Sequence, residues 1–315
     1  MDAAGCPQEW ESSTMTPRMI RLSPRYQRTL VRPVWVSGPG MITGQLVRLC
    51  FRPAPVDTGI IFVRTDLPGS PRIPAHADRV TDTRRRTTLG NAPATVTLVE
   101  HTLAALSGLR IDNCLVEING VEPPGLDGSS LGFVQALQQT SIELQHQFRP
   151  RWTVTAPITV AHGPAMIRFH PADDQQTGLG LHYLLDYGAD SPIPRQIASC
   201  HVTPASFVQE LAACRTFVLE QEAEMFRQQG IGQHLGPRDL LVFGPRGLVE
   251  NSLRFADEPS RHKMLDLLGD LALCGVDLVG DVVAYRSGHP LNVELAKTLA
   301  GLIRQTPFTT TRRVA

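Results

Sequence analysis

His262 and Asp266 stand four residues apart in Arg261-His-Lys-Met-Leu-Asp266. Met264, Leu265, Leu268 and Leu271 surround them at helical spacing and predict a helix over 259–273. On a helix, the i, i+4 interval puts two side chains on one face about 5–6 Å apart, close enough to share a cation. The interval alone discriminates poorly, because exposed ion pairs use it too. It recurs at His170/Asp174 and His182/Asp186. There, however, His170 precedes Pro171 in a turn-like stretch, and His182 lies in a strand-like segment that draws i and i+4 apart.

A second cluster supplies what the first lacks. Glu100 and His101 fall in the predicted helix 95–109, on which Leu98, Leu103, Leu106 and Leu109 share a face. A histidine from a distant helix completes a His₂Asp set with one position open for water, the pattern of a catalytic zinc. Glu100, beside that ligand, is placed to accept a proton from the water. Asp270, one turn beyond Asp266, can orient a neighbouring histidine, and His289, after Ser287-Gly288, is the candidate.

Two other motifs fail on context. Gly38-Pro-Gly-Met-Ile-Thr-Gly44 has the wrong spacing for a dinucleotide fingerprint and feeds a strand where that fingerprint needs a helix. Gly128-Ser-Ser-Leu-Gly132 matches G-x-S-x-G, but Glu122-Pro-Pro-Gly-Leu-Asp127 before it makes a turn, not the strand of a nucleophile elbow. Asp127 or Ser129 is better read as the cap of a helix through Phe133 and Leu137.

Elements that could position these groups come in two similar sets. Strands are expected at 29–36, 45–51 and 60–63, then the helix 95–109, a strand at 113–118 and the helix after Ser129. A polar bridge at 145–151 follows. Beyond it, strands at 152–160, 166–169 and 179–185 precede helices at 205–214 and 219–228 and a short strand at 240–243. Helix 259–273, strand 276–285 and helix 291–304 close the chain. This order, with the chain's length, predicts an α+β protein of two domains, helices layered on a sheet in each. The expected limits are a loose extension 1–24, a first domain 25–148 and a second 149–315.

Composition sets bounds around that reading. The 315 residues carry 30 Lys+Arg against 30 Asp+Glu, a balance that disfavours a general nucleic-acid binder. No run of 18 apolar residues occurs, so no membrane span is expected, leaving peripheral contact at most. Met1–Pro24 lacks the apolar core of a secretory signal. Six cysteines without a C-x-x-C pair fit free thiols in a reducing cytoplasm. Only Lys263 and Lys297 are lysine; the other 28 basic residues are arginine.

From about residue 28 to 305 the sequence resembles the UDP-3-O-acyl-N-acetylglucosamine deacetylases, zinc amidases of lipid A biosynthesis. The resemblance rests on Phe51-Arg-Pro-Ala-Pro55, Asp57-Thr-Gly59, Arg64-Thr-Asp-Leu67, Val99-Glu-His101 and Ile111-Asp-Asn113. It continues through Asp127-Gly-Ser129, Arg215-Thr-Phe217, Arg261-His-Lys-Met-Leu-Asp266, Gly269-Asp270 and Ser287-Gly-His289. It implies two α+β domains of similar topology with the active site between them, and zinc, or Fe²⁺ in its place, on His101, His262 and Asp266, with Glu100 as base. His289 paired with Asp270 would protonate the leaving amine, Thr216 would stabilise the oxyanion, and Lys263 would contact polar groups of the substrate. Tyr187 would stack on uracil. Phe217 would open an insert at about 217–236 that in the family forms a passage for the acyl chain, with Leu219, Ala223 and Phe226 as its expected lining.

The chain departs from the family pattern at Ile42, where a histidine is usual before Thr43-Gly44, at His234-Leu-Gly-Pro237, and at Leu219, where an aromatic is expected. The resemblance implies a monomer that hydrolyses the N-acetyl group of an acylated UDP-N-acetylglucosamine in the cytoplasm. Two rivals are a zinc amidase for another acylated sugar and a homologue that binds such a nucleotide sugar without turnover. Retention of both acid and base candidates argues against the second.

Overall fold

Alternating buried and exposed side chains mark most strands of the computed structural model, which describes residues 16–236 and 239–306. The chain enters through β1 (Met19–Leu30) and continues into β2 (Val34–Pro39), β3 (Leu46–Pro53), β4 (Ile60–Arg64) and β5 (Arg72–Pro74). A small sheet of β6 (Val80–Asp82), β7 (Thr88–Asn91) and β8 (Ala94–Val96) leads into α1 (Glu100–Gly108), β9 (Cys114–Ile118) and α2 (Leu131–Leu137). Strand β10 (Ile142–Val154) crosses to the second half.

That half opens with β11 (Ile158–His162), β12 (Ala165–Pro171), β13 (Leu179–Leu185) and β14 (Gln196–His201). The short α3 (Pro204–Ser206), then β15 (Phe217–Leu219), α4 (Glu220–Gln228), β16 (Leu241–Gly244) and β17 (Gly247–Leu248) form an insertion. The chain closes with α5 (Glu258–Leu271), β18 (Asp277–Leu278), β19 (Gly280–Tyr285) and α6 (His289–Gln305).

The two five-stranded sheets share one topology. Their orders are β2-β3-β9-β4-β5 and β11-β12-β19-β13-β14. In each, the last strand inserts between two hairpins, antiparallel to one neighbour (β3, β12) and parallel to the other (β4, β13). A helix precedes the inserted strand in both halves, α1 before β9 and α5 before β19. These equivalent helices pack on each other, so an α+β repeat brings residues 100–101 beside residues 262–266. Leu103 and Leu106 of α1 and Leu265 and Leu268 of α5 are buried in the core that both halves share.

The sequence-based element limits need four corrections. Residues 19–24 are not loose extension but the start of β1, which pairs with β10 from Met19↔Val154 to Leu30↔Ile142. Residues 1–15 lie outside the described residues. The supposed bridge 145–151 is the middle of β10, so a boundary at 148 falls inside a strand. The ribbon is exposed on both faces over most of its first half, so it shows no apolar alternation to read. Helix 95–109 begins only at Glu100, because 94–96 are β8 and Leu98 takes a left-handed φ of 54°. The helix expected at 205–214 is one turn of α3 followed by a π-helical stretch, Phe207–Leu211.

Where α1 meets α5, Gly269 lies directly beneath Glu100. A Cβ there would come within 2.1 Å of the Glu100 carbonyl oxygen, a backbone atom that cannot rotate away. Alanine normally favours a helix interior over glycine by about 0.5–1 kcal/mol. Gly269→Ala is nonetheless expected to destabilise the fold by about 1–3 kcal/mol through overpacking. Urea unfolding checks this; a neutral or stabilising effect would contradict the close approach.

Candidate active site

Glu100 and His101 occupy the first turn of α1, while His262 and Asp266 lie one turn apart on α5. His101 Nε2 and His262 Nε2 are 3.4 and 3.3 Å from the same oxygen, Asp266 Oδ1. One ligand atom from each of the three residues lies within 4.8 Å of the others, and no other such group occurs among the described residues. Asp266 Oδ1 is buried and takes no hydrogen bond. Two donors each about 2.0–2.1 Å from a tetrahedral zinc sit about 3.3–3.4 Å apart, so the spacing fits such an ion. A buried carboxylate oxygen without a hydrogen bond, with two imidazole nitrogens converging on it, is a site that a cation would satisfy.

Protonation agrees with that fit. Burial pushes His262 down to about 4, against the pull of Asp266, which leaves the neutral imidazole that binds metals. Its Nδ1–H donates to the Cys214 carbonyl at 3.1 Å, turning the bare Nε2 toward Asp266. Burial alone would raise Asp266, but His262 and Lys263 hold it well below the usual carboxylate range. Lys263 Nζ lies 2.7 Å from Asp266 Oδ2, and that carboxylate outweighs burial and keeps the ammonium charged.

Two further groups flank these three side chains. Glu100 is buried, and burial raises its pKa despite the nearby positive charge of His289. Its Oε2 accepts the Thr87 backbone N–H at 3.0 Å, while Oε1 is 3.9 Å from His289 Nε2. His289 sits at the start of α6, with Nδ1 2.9 Å from Asp270 Oδ2. Burial works against its charge, but Asp270 and then Glu100 raise its pKa to about 9. Asp270 is itself fixed by the Thr87 hydroxyl at 2.6 Å and the Asn292 amide at 3.0 Å.

A cavity of about 440 Å³ opens over the cluster. Thr216, Phe217, Tyr187 and Lys263 line it, and so do Ala223 and Phe226 of α4. Leu219 does not; it packs against the core. Asp270 acts from behind His289 and does not reach the cavity. Ile42 and Leu235 are in the wall; Pro237 lies outside the described residues. His182 bonds Ser199 and Asp281 on the far sheet, apart from the cluster.

Sequence reasoning missed Thr87, Asn292 and the Cys214 carbonyl, which act as hydrogen-bond partners and carry no distinctive motif. It also missed Arg85 and Arg86 in the wall. The run Arg84-Arg85-Arg86 was the available signal. Arg85 pairs with Glu222 of α4 at 2.6 Å and lies over the Phe226 ring, tying the insertion to the first half.

Comparison with known proteins agrees with this geometry. A family model described as LpxC: UDP-3-O-acyl N-acetylglycosamine deacetylase matches residues 27–301. A UDP-3-O-acyl-N-acetylglucosamine deacetylase of Thermosynechococcus vestitus is 40% identical over 87% of this chain and 94% of its own length. Proteins of the same name from Geobacter sp. (strain M21) and Saccharophagus degradans are 37% and 38% identical, covering 87% and 89% of this chain and 88% and 90% of their own lengths. A match of this extent, over a chain whose two halves meet at the His101–His262–Asp266 cluster, places the protein in the UDP-3-O-acyl N-acetylglycosamine deacetylase (LpxC) family.

Proposed function

We propose that the protein hydrolyses the N-acetyl amide of UDP-3-O-acyl-N-acetylglucosamine, releasing acetate and the free amine for lipid A biosynthesis. The observation that carries this reading is the unpartnered Asp266 Oδ1 between two imidazole nitrogens, with a buried acid and base beside it. His101, His262 and Asp266 would hold the metal. Zinc suits two imidazoles and a carboxylate, and Fe²⁺ can use the same set. A divalent ion bound there would acidify the attacking water and polarise the amide carbonyl.

The side chains complete the hydrolysis. Glu100, its basicity raised by burial, would take the proton of the water as its oxygen bonds to the carbonyl carbon. The Thr216 hydroxyl would donate to the carbonyl oxygen as charge gathers on it. His289, kept cationic by Asp270, would hand its Nε2 proton to the nitrogen as the C–N bond breaks. Lys263, braced on Asp266, would contact polar groups of the substrate. Tyr187 and Phe217, whose rings meet edge to face at 6.0 Å, would bound the nucleotide, and Ala223 and Phe226 the acyl chain.

The two halves are then two domains in function, joined through the β1–β10 ribbon, because neither holds a complete site. One protomer supplies every group, which favours a monomer. Among the described residues the cysteines are buried free thiols and no helix is long and apolar enough to cross a membrane. The thiols favour a reducing compartment such as the cytoplasm.

Mass spectrometry of acylated UDP-N-acetylglucosamine incubated with the protein is expected to show metal-dependent acetate release that chelation abolishes. Absence of a metal-dependent product would overturn the reading. Glu100→Ala should keep metal binding and lose roughly 10²–10⁴-fold in kcat, the usual range for a general base. His262→Ala should lose metal affinity itself, as read by isothermal titration.

The His289 imidazolium gives a pH test. Its folded pKa of about 9 lies above the ordinary 6.5, so its stabilisation is complete below pH 6.5 and lost as pH rises through 9. In metal-free protein, NMR titration should place the ring transition near 9, and Asp270→Asn should move it down. A midpoint near 6.5 in the unaltered protein would remove the proposed acid.

A further inference from the structure

A second cavity lies at the far ends of α1 and α5, away from the catalytic cluster. It has a volume of about 400 Å³, within the roughly 300–1,000 Å³ range of small-molecule sites. Leu103 and Leu106 of α1 and Leu268 and Leu271 of α5 give it an apolar floor. Four arginines also line it, Arg25, Arg110, Arg149 and Arg151, against only two carboxylates, Asp112 and Asp277.

Hydrogen bonding divides the four unequally. Arg25 bonds both carboxylates, with contacts of 2.7 Å to Asp112 and 2.5 Å to Asp277. Arg149 approaches the same pair at 3.4 and 3.2 Å. Arg151 reaches only main-chain carbonyls, those of Ser23 and Thr177. The Arg110 guanidinium makes no hydrogen bond or ion pair with any described residue. Burial, and then the positive charge of Arg25, lowers its proton affinity. Among the described residues, then, no carboxylate pairs with Arg110 or Arg151, and both stand beside an apolar floor.

The backbone at Arg110 makes the choice of residue more pointed. It follows α1 with φ 57°, the left-handed position where helices usually end on glycine. The Ile111 N–H bonds the Leu106 carbonyl at 2.8 Å and the Arg110 N–H bonds that of Ser107 at 3.0 Å, which together make a Schellman cap. A long cationic side chain at this position strains the backbone and repays it with no hydrogen bond or ion pair to a described residue.

We propose that this rear cavity is a binding site for a phosphate monoester with a short alkyl body. The dianionic head would take the uncompensated charges of Arg110 and Arg151, and the alkyl chain would lie against the leucines. The site is separate from the catalytic cavity; no residue lines both.

Isothermal titration of the full chain with octyl phosphate tests this, with inorganic phosphate and octanol as single-feature probes. Octyl phosphate should bind more tightly than either. Arg110→Gly should weaken it about tenfold or more, as expected for loss of a charge-assisted contact. The same variant should melt at or above the wild-type temperature, since glycine relieves the left-handed backbone; if it melts lower, Arg110→Gln takes its place. Ala223→Trp, which fills the catalytic cavity, should leave the Arg110-dependent binding intact. The proposal is overturned if wild type does not bind, if Arg110 variants bind equally, if Ala223→Trp abolishes binding, or if inorganic phosphate binds as well as octyl phosphate.

Discussion

The close approach of α1 and α5 is the contact on which the site depends. Gly269 brings the backbone of α5 against that of Glu100, with no side chain between them. At that distance His101 on one helix and His262 and Asp266 on the other meet around one point, with spacings of 3.3 and 3.4 Å. An interposed methyl group would push the helices apart and lengthen the spacing that suits a tetrahedral ion. The leucines on either side make the junction rigid. Close packing at the crossing thus becomes metal-site geometry.

The repeated topology explains why the crossing exists. Each half threads a helix and then its central strand between two hairpins, and the two helices are equivalent in the repeat. Packing one against the other covers both and creates a seam. The two ends of that seam carry different chemistry. At the catalytic end, buried acids face the His289 imidazolium and the Lys263 ammonium. At the other, Arg25 links Asp112 and Asp277 across the halves, and Arg110 and Arg151 pair with no carboxylate among the described residues. Net neutrality of the chain conceals this separation of charge along one pair of helices.

How much of this was legible in the sequence depended on whether a role leaves a side-chain signature. His262 and Asp266 stood at ligand spacing in a clear apolar helix, and Glu100, His101, Asp270 and His289 followed from the chemistry such a pair requires. Thr87 was invisible, because it acts partly through its backbone N–H and its partners Glu100 and Asp270 are distant in sequence. The Cys214 carbonyl that orients His262 was hidden for the same reason. β10 was misread as a bridge because an exposed ribbon buries neither face. Leu219 was expected in the passage from its place in the insert, but packing turned it to the core. The left-handed backbone at Leu98 set the true start of α1, and no local residue preference announces such a turn in leucine.

The central claim is that one metal ion is held jointly by the two halves. X-ray absorption at the metal edge of the zinc-loaded protein tests it directly. The account predicts nitrogen and oxygen neighbours at about 2.0–2.2 Å, with the multiple scattering of two imidazoles, falling to one in His101→Ala. A sulfur shell at about 2.3 Å, or two imidazoles retained in His101→Ala, would contradict it.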